Sequence, residues 1–489
     1  MNARHIALAT AVLAVLAGCA VTAPPAPEQI RKEALQAAEI RASWSTDAPQ
    51  AGAISDNWLA SFNDPQLNAL VDEALQRNPD LRATAARVEQ SAAYAQIARA
   101  ALLPAVNLLG TGGLKVGGGS DLTPALQGVM LGVSWEPDLW GRLRYGRNAA
   151  DASYASAQAD YEFARQSMAA QVARSWFLAT EATLQLAATE SMALASRELL
   201  RLAEDREKVG IGNQKDVALT RANLGLLEDG VRQARLAYEQ SIRSLETLLG
   251  RYPAAELRTV PELPPMPGPI PVGMPLDMLE RRPDVIAAER RVAAAFNRVG
   301  EARAAQLPRI RLNASVSALD SEVLELQDDF ENPSGGAGAT LVAPLYQGGA
   351  LRAQVSVRTA EQKEALARYA SQVLRGINEV ENALAASRML SERVQLLDQV
   401  LTEQKKTLEY DQAAYRIGRQ DLRSVQQQQQ QVQSARMALL RVQSEQLIQR
   451  VNLHLALGGS FAEPMSVASI RPSTAAEPTA QAELTRRME

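Results

Sequence analysis

The sequence predicts a mixed α and β membrane protein made by tandem duplication, and three observations predict it. Asn78-Pro79-Asp80-Leu81 and Arg282-Pro283-Asp284-Val285 each open a helical run, and Leu103-Pro104 and Leu307-Pro308 close them, both pairs of prolines lying 204 residues apart. Later landmarks repeat at 208: Leu143-Arg144 with Leu351-Arg352, Gly210 with Gly418, and Gly250 with Gly458. After each Leu-Pro the hydrophobic period changes from helical to alternating, and after each alternating stretch comes a long run without proline. A repeat of this length is too long for a solenoid unit, so each copy is a large half of one architecture.

The chain has 489 residues, a formal net charge of −4 and only 4% aromatics, with Ala, Gln, Leu and Arg dominant. That composition favours long helices over a thick globular core. The charge leaves no basic stripe for a nucleic acid.

Residues 1–18 read as a lipoprotein signal peptide: Arg4 in a basic start, Ile6 to Leu16 as an apolar core, then Leu16-Ala17-Gly18-Cys19. This resembles a bacterial lipobox, with Cys19, the only cysteine, as the acylated residue and Ala20, not Asp, after it, which implies sorting to the outer membrane. Residues 19–60 then form an acylated extended segment holding Pro24, Pro25, Pro27 and Pro49. No other stretch is long and apolar enough for a spanning helix, so spanning falls to strands.

The first structural repeat occupies 61–250 and the second 276–458. Asp64-Pro65 caps a first helix and Pro79 starts another that runs to Leu103. In the second half Ile310, Leu312, Ala314, Val316 and Ala318 alternate with Arg311, Asn313, Ser315 and Ser317, a strand with one apolar and one wet face. Val129, Leu131, Val133 and Trp135 repeat the pattern, preceded by Val106 to Val116 and a glycine-rich turn at Gly117 to Ser120. Ala337, Ala339, Leu341, Ala343 and Leu345 complete the set. Each half therefore carries one hairpin of two strands of membrane length.

Tyr145 to Val209 and Arg352 to Ile417 contain no proline, and such helices would reach on the order of 100 Å. Val373, Ile377, Val380 and Leu384, then Val394, Leu397, Leu401 and Leu408, step as in a coiled coil. Both runs break at Gly210 and Gly418 and return as helices. Pro253 to Pro275, within a connector at 251–275, is stiff and extended, and 459–489 is a flexible tail.

Enzyme chemistry is not predicted. Beyond the signal segment the one histidine is His454, read as a packing or helix-end residue, so thiol and imidazole nucleophiles and His/Cys metal clusters have no residues to use. Gly117 to Gly119 lack the Lys-Ser/Thr of a phosphate loop, and the 11 Met do not gather on one face, so neither a cofactor nor a metal is called for. Four strands cannot close in lipid, and two chains would make a barrel filled by its own side chains, so a pore needs at least three chains.

Five segments carry a resemblance to a known family: Asn78 to Leu81, Arg281 to Asp284, Trp135-Glu136-Pro137-Asp138-Leu139-Trp140-Gly141-Arg142, Tyr415 to Gly418, and Leu455 to Gly458. The chain is similar to the outer membrane factors, the TolC-like exit ducts, and within them to the acylated NodT-type efflux branch. The resemblance implies a homotrimer with a twelve-stranded outer membrane β-barrel continuous with a long periplasmic α-helical barrel. It further implies a periplasmic membrane fusion (adaptor) protein and an inner membrane RND-type transporter as partners, with drugs or other small molecules as cargo. A type I secretion duct and a lipid-anchored coiled-coil scaffold without a pore are the alternatives.

The resemblance assigns Gly210 and Gly418 to periplasmic tip turns and Asp216 and Tyr415 to a tie between helices that holds the gate. Ser424, Gln427 and Gln430 take the place of the family's charged aperture residues, so the resemblance carries no charged selectivity ring over to this helix. Gln426, Gln428, Gln429 and Gln431 read as a solvated face, with Val425 and Val432 holding the helix in register.

Overall fold

The computed structural model describes residues 22–36, 40–46, 52, 54, 56–111, 114–115, 123–124, 127–320 and 334–462. Cys19, the turn at Gly117 to Ser120 and the tail from 463 lie outside the described residues. In chain order the elements are α1 (Pro27–Ala34), a 3-10 turn (Trp58–Phe62), α2 (Pro65–Arg77), α3 (Pro79–Ala100), β1 (Ala105–Thr111), β2 (Leu114–Lys115), β3 (Thr123–Pro124), β4 (Gln127–Trp135), α4 (Arg142–Lys208) and α5 (Gln214–Leu248). The second half follows as α6 (Asp277–Arg281), α7 (Pro283–Ala304), β5 (Arg309–Asp320), β6 (Ser334–Val342), α8 (Ala350–Arg416) and α9 (Leu422–Ala456). The two halves repeat one order, helix, hairpin, 67-residue helix and 35-residue helix. Two compact units divide the chain, one of residues 1–43, 79–165 and 275–378, the other of 44–78, 166–274 and 379–489.

The first unit holds a four-stranded antiparallel sheet in the order β1-β4-β5-β6. Its register puts like beside like. Val106 pairs Val133, Leu108 pairs Leu131, Leu131 pairs Val316 and Ile310 pairs Leu341, so one face is apolar across all four strands. Ser134 pairs Asn313, Gly132 pairs Ser315 and Ser317 pairs Ser334 on the other face. Directly opposed residues share a face, which is why the alternation seen in one strand propagates through the sheet. Leu108, Leu131, Val316 and Leu341 remain exposed, and the two edges, β1 and β6, have one neighbour each.

Where the sheet meets the helices, the Trp135-to-Arg142 motif acts as a clamp. The indole N–H of Trp135 donates to the Leu102 carbonyl at 2.9 Å and that of Trp140 to the Pro308 carbonyl. Asp138 accepts the backbone N–H groups of Leu143 and Arg144 at 3.0 and 2.9 Å and so caps the orphan donors that open α4. In the second half Arg282 and Asp284 form a buried pair at 2.7 Å, and the Gln372 amide donates to the same carboxylate.

The second unit is built on Trp58, Phe62, Leu67, Val71, Trp176, Phe177, Ile242, Leu245 and Val451. Asp64 caps α2 through the Leu67 N–H at 3.0 Å and accepts the Trp176 indole N–H at 2.7 Å. Gly250 has φ +72°, and an added Cβ would lie 2.9 Å from the Arg77 carbonyl oxygen, so only glycine fits. The leader from 19 to 60 is not extended throughout: α1 forms because Pro27 sits at the first helical position and Ile30 is buried. Two strand limits also differ from the sequence expectation. β1 stops at Thr111, short of Val116, and β6 ends at Val342, so Ala343 and Leu345 lie outside it, Pro344 having no N–H for a ladder.

Candidate functional site

The two helix reversals of the second unit carry the candidate site. Gly210 and Gly418 have φ +78° and +74°, and each reversal is closed by a bond from the residue after the glycine to the carbonyl five before it: Ile211 N–H to Arg206 at 3.0 Å, and Arg419 N–H to Ala414 at 2.9 Å. This is the glycine-terminated ending expected where a helix must stop and turn. An added Cβ at either glycine meets nothing within 4 Å, so the demand for glycine is conformational and not steric. Gly212 is the opposite case, its Cβ position lying 2.8 Å from the Glu207 nitrogen. Val209, Ile211 and Ile417 flank the turns and are exposed.

The returning helices are capped by residues 208 apart. Asn213 accepts the Asp216 N–H at 2.8 Å, and Asp421 accepts the Ser424 N–H at 2.8 Å and its hydroxyl at 2.7 Å. Asp216 and Ser424 therefore occupy matching positions in the first turns of α5 and α9. Hydrogen bonds to the ionised carboxylate, from the Ser424 N–H first and its hydroxyl second, hold the Asp421 carboxyl below its usual range.

Asp216 and Tyr415 do not form the expected hydrogen bond. Tyr415 packs with Ala203, Val217, Leu422 and Val425 instead, and the Arg206 guanidinium sits over its ring at 4.9 Å while donating to its carbonyl at 3.3 Å. Burial pushes the phenol above its ordinary range, Arg206 pulls it back, and the Asp216 charge adds to the rise. The guanidinium is attracted by the negative face of the ring, so Tyr415 is tied to Arg206 of the other long helix.

On α9 Ser424 is half-buried and Gln427 and Gln430 are exposed. Gln430 donates to the Asn223 side chain at 3.1 Å. The neighbouring glutamines correct the solvated-face expectation. Gln426 and Gln429 are buried, at 5% and 3% exposure, Gln428 is half-buried, and only Gln431 faces out. Gln426 donates to the Thr220 hydroxyl at 2.8 Å and Gln428 to the Gln404 carbonyl at 2.9 Å. Val425 and Val432 are both buried beside them, so the register expectation and the polar seam belong to one face. Thr220 and Asn223, spaced three apart on α5 opposite Gln426 and Gln430, were the available signal for this α5–α9 seam.

Among the described residues no group of three or more His, Cys, Asp or Glu could hold a metal ion, and no helix is long and apolar enough to cross a membrane.

The sequence profile of the outer membrane efflux proteins matches residues 70–251 and 275–459. The pyoverdine export outer membrane protein OpmQ of Pseudomonas putida is 30% identical over 473 residues, covering 94% of this chain and 98% of that protein. The outer membrane protein OprJ of Pseudomonas aeruginosa is 31% identical over 452 residues, covering 88% and 92%. Among solved structures the outer-membrane channel OprN superposes with a TM-score of 0.78 at 26% identity, over 86% of this chain and 97% of that one. With both halves matched by the profile and with relatives similar along nearly their full length, the chain belongs to the outer membrane efflux protein family.

Proposed function

We propose that this protein is the outer membrane exit duct of a tripartite efflux system. In this role it passively carries drugs or other small molecules that an inner membrane RND-type pump delivers through a periplasmic adaptor. The observation that carries the reading is a sheet with one continuous apolar face and two open edges, from which the chain enters 67-residue helices that end in apolar glycine turns. In lipid an open edge leaves backbone groups unpaired, so the sheet must close with other copies. Three copies supply twelve strands, and the homotrimer follows. Val209, Ile211 and Ile417 are the apolar contacts an adaptor would cover.

The lipid anchor fits the same placement. Thr22 donates its backbone N–H to the Tyr145 hydroxyl at 2.9 Å, and Tyr145 lies in the first turn of α4, just after β4. Two residues, Ala20 and Val21, lie between Cys19 and Thr22, so the proposed anchor point is close in sequence to that junction. Fatty-acid labelling that is present in the natural chain and lost in Cys19→Ser is the expected result.

The function is tested by single-channel recording on the purified oligomer and by drug susceptibility in cells whose own duct has been removed. The natural chain should conduct and restore resistance. Gly418→Val should keep the oligomer and lose resistance, because a β-branched residue is forced into a left-handed backbone at the docking turn. Full resistance in Gly418→Val would take the turn out of the docking surface.

For the gate, Arg206→Ala should raise conductance while Tyr415→Phe leaves it unchanged, since the cation over the ring is lost in one and no phenol hydrogen bond is lost in the other. The reverse outcome would restore a role for the Asp216 and Tyr415 pair.

A further inference from the structure

The two halves of the first unit differ in charge, and the difference is concentrated in arginine. Arg298, Arg309, Arg311, Arg358 and Arg375 all belong to the second half. Their counterparts, 204 residues earlier for the short helix and strand and 208 earlier for the long helix, are Tyr94, Ala105, Asn107, Ala150 and Ser167. The same fold forms in one half without these charges, so packing does not require them in the other.

Three of them, Arg298, Arg358 and Arg375, line a groove of about 590 Å³ between α7 and α8. Its floor holds Ala288 and Ala295, small and buried, and its rims also carry Arg291 and Arg368. Arg291 is paired with Asp160, Arg358 with Glu361 at 2.8 Å, and Arg368 with Glu364. Arg298 and Arg375 are exposed and meet only neutral atoms among the described residues, the Ser153 hydroxyl and the Ser371 carbonyl, both at 3.4 Å. Gln372 of α8 donates to Asp284 of α7, so Arg375 lies beside the start of α7, while Arg298 lies about four turns, or about 21 Å, further along it.

The groove opens on the side of α7 away from the leader. Helix α1 packs on α7, its Arg31 lies 3.4 Å from Glu280, and Glu289, whose carboxyl burial raises, is drawn back by the charges of Arg290 and Arg31. Arg291 is two residues past Glu289, about 200° round the helix, so groove and leader occupy opposite faces. A leader that starts from an acyl anchor runs on the lipid side of a closed wall, and the groove then faces the interior. The sheet points the same way. Arg309 and Arg311 share the wet face of β5 with Asn313, Ser315 and Ser317, and both are exposed. No Asp or Glu stands at any described position of that face in β1, β4, β5 or β6.

We infer that the α7–α8 groove and the wet face of β5 form one positively charged track on the inside of the duct, and that its cargo is anionic: small molecules carrying carboxylate, phosphate or sulfonate groups. This rests on the proposed duct and names the class of molecule it takes. A guanidinium presents a fork of donors that matches two oxygens of such a group, and in Arg298 and Arg375 that fork is not spent on a carboxylate of the chain. Three copies place charge of one sign around a passage with low-dielectric walls, which raises the local concentration of the opposite ion. Separate, solvated sites hold each anion too weakly to trap it, as conduction requires.

The test is ion selectivity of the purified oligomer in planar bilayers, read as the chloride-to-potassium permeability ratio from reversal potentials across a KCl gradient. The natural chain should favour chloride about threefold or more near 0.1 M salt and approach a ratio of about one near 1 M, where screening shortens the reach of each charge to about 3 Å. Arg298→Glu with Arg375→Glu should bring the ratio below one, and Arg298→Lys with Arg375→Lys, which keeps the charge, should hold the natural value. Lys363→Gln removes a positive charge two residues past the groove-lining Glu361, on the other face of α8, and should leave the ratio unchanged. Arg309→Gln with Arg311→Gln, at exposed strand positions, is the second variant and should lower the ratio about twofold. From liposomes holding the natural oligomer, carboxyfluorescein should escape faster than cationic ethidium, and the order should reverse in the glutamate pair. A conducting oligomer that favours potassium, or one whose ratio and probe order ignore both arginine pairs, overturns the track and leaves the duct standing. No conductance in the natural chain overturns the duct, and the track with it.

Discussion

Val316→Arg and Leu131→Arg are expected to abolish recovery of a heat-modifiable oligomer from outer membranes, each costing about 2–4 kcal/mol at a lipid-facing position near the bilayer midplane. The two residues are paired in adjacent strands at the middle of the apolar face. Leu312, paired with Trp135 where the sheet meets the helices, is at the interface end of the same face, so Leu312→Arg should cost only about 0–1 kcal/mol. Ser315→Arg, on the opposite face, should assemble normally. Equal recovery of Val316→Arg and Ser315→Arg would remove the lipid-facing assignment, because a position-dependent and face-dependent penalty is what lipid imposes and water does not.

Mild acid should weaken the second unit first through His454. His454 is buried, stacked on Trp58 at 5.8 Å, with neither ring nitrogen partnered, and burial together with the Arg450 charge lowers its pKa to about 3. An unfolded histidine titrates near 6.5, so between the two values the unfolded chain binds a proton that the folded chain refuses. Stability is thus complete above about pH 6.5 and is lost as pH falls toward 3, by up to about 1.4 kcal/mol per pH unit. His454→Phe, which keeps a flat ring against Trp58, should flatten this slope between pH 6.5 and 4.5. Below about pH 4.5 Glu246 adds to the loss. Burial opposes its ionisation, but three backbone N–H donors at Ala255, Glu256 and Leu257 outweigh burial and hold its pKa below the usual range, so its contribution is present above about pH 4.5 and lost beneath it. Thermal melts of the detergent-solubilised protein followed by circular dichroism decide the matter. A slope unchanged by His454→Phe would place the acid sensitivity elsewhere.

The parts of this protein that were legible in the sequence are those written as periods and stops. Alternation from Ile310 to Ala318 gave β5 because one face must be apolar, and Gly210 and Gly418 gave the reversals because a helix end in left-handed backbone selects glycine. Asp64-Pro65 gave α2 through its cap. Pairing across helices was not legible, since it depends on which neighbour covers a face. Gln426 and Gln429 look like surface residues in one helix and become buried when Thr220 and the turn packing stand opposite. Tyr415 was assigned Asp216 as a partner and took Arg206, which lies one turn before Gly210 on a different helix. Helix α1, eight residues behind a proline-rich lead, has too few periodic positions to stand out.

The edge strands say something about the life of this chain before it is assembled. Neither Ala105–Thr111 nor Ser334–Val342 contains a lysine, a proline or any charged residue, and among the described residues neither has a strand on its outer side. Soluble sheet proteins blunt such borders with gatekeeper side chains; this one cannot, because the same borders must later join. A newly exported monomer is therefore at its most aggregation-prone in the aqueous compartment it crosses, and time spent there unescorted is time available for the wrong strand partner. Holdase chaperones that mask β1 and β6 would do for the nascent chain what charge does for other proteins, and their supply would set how much duct a cell can build.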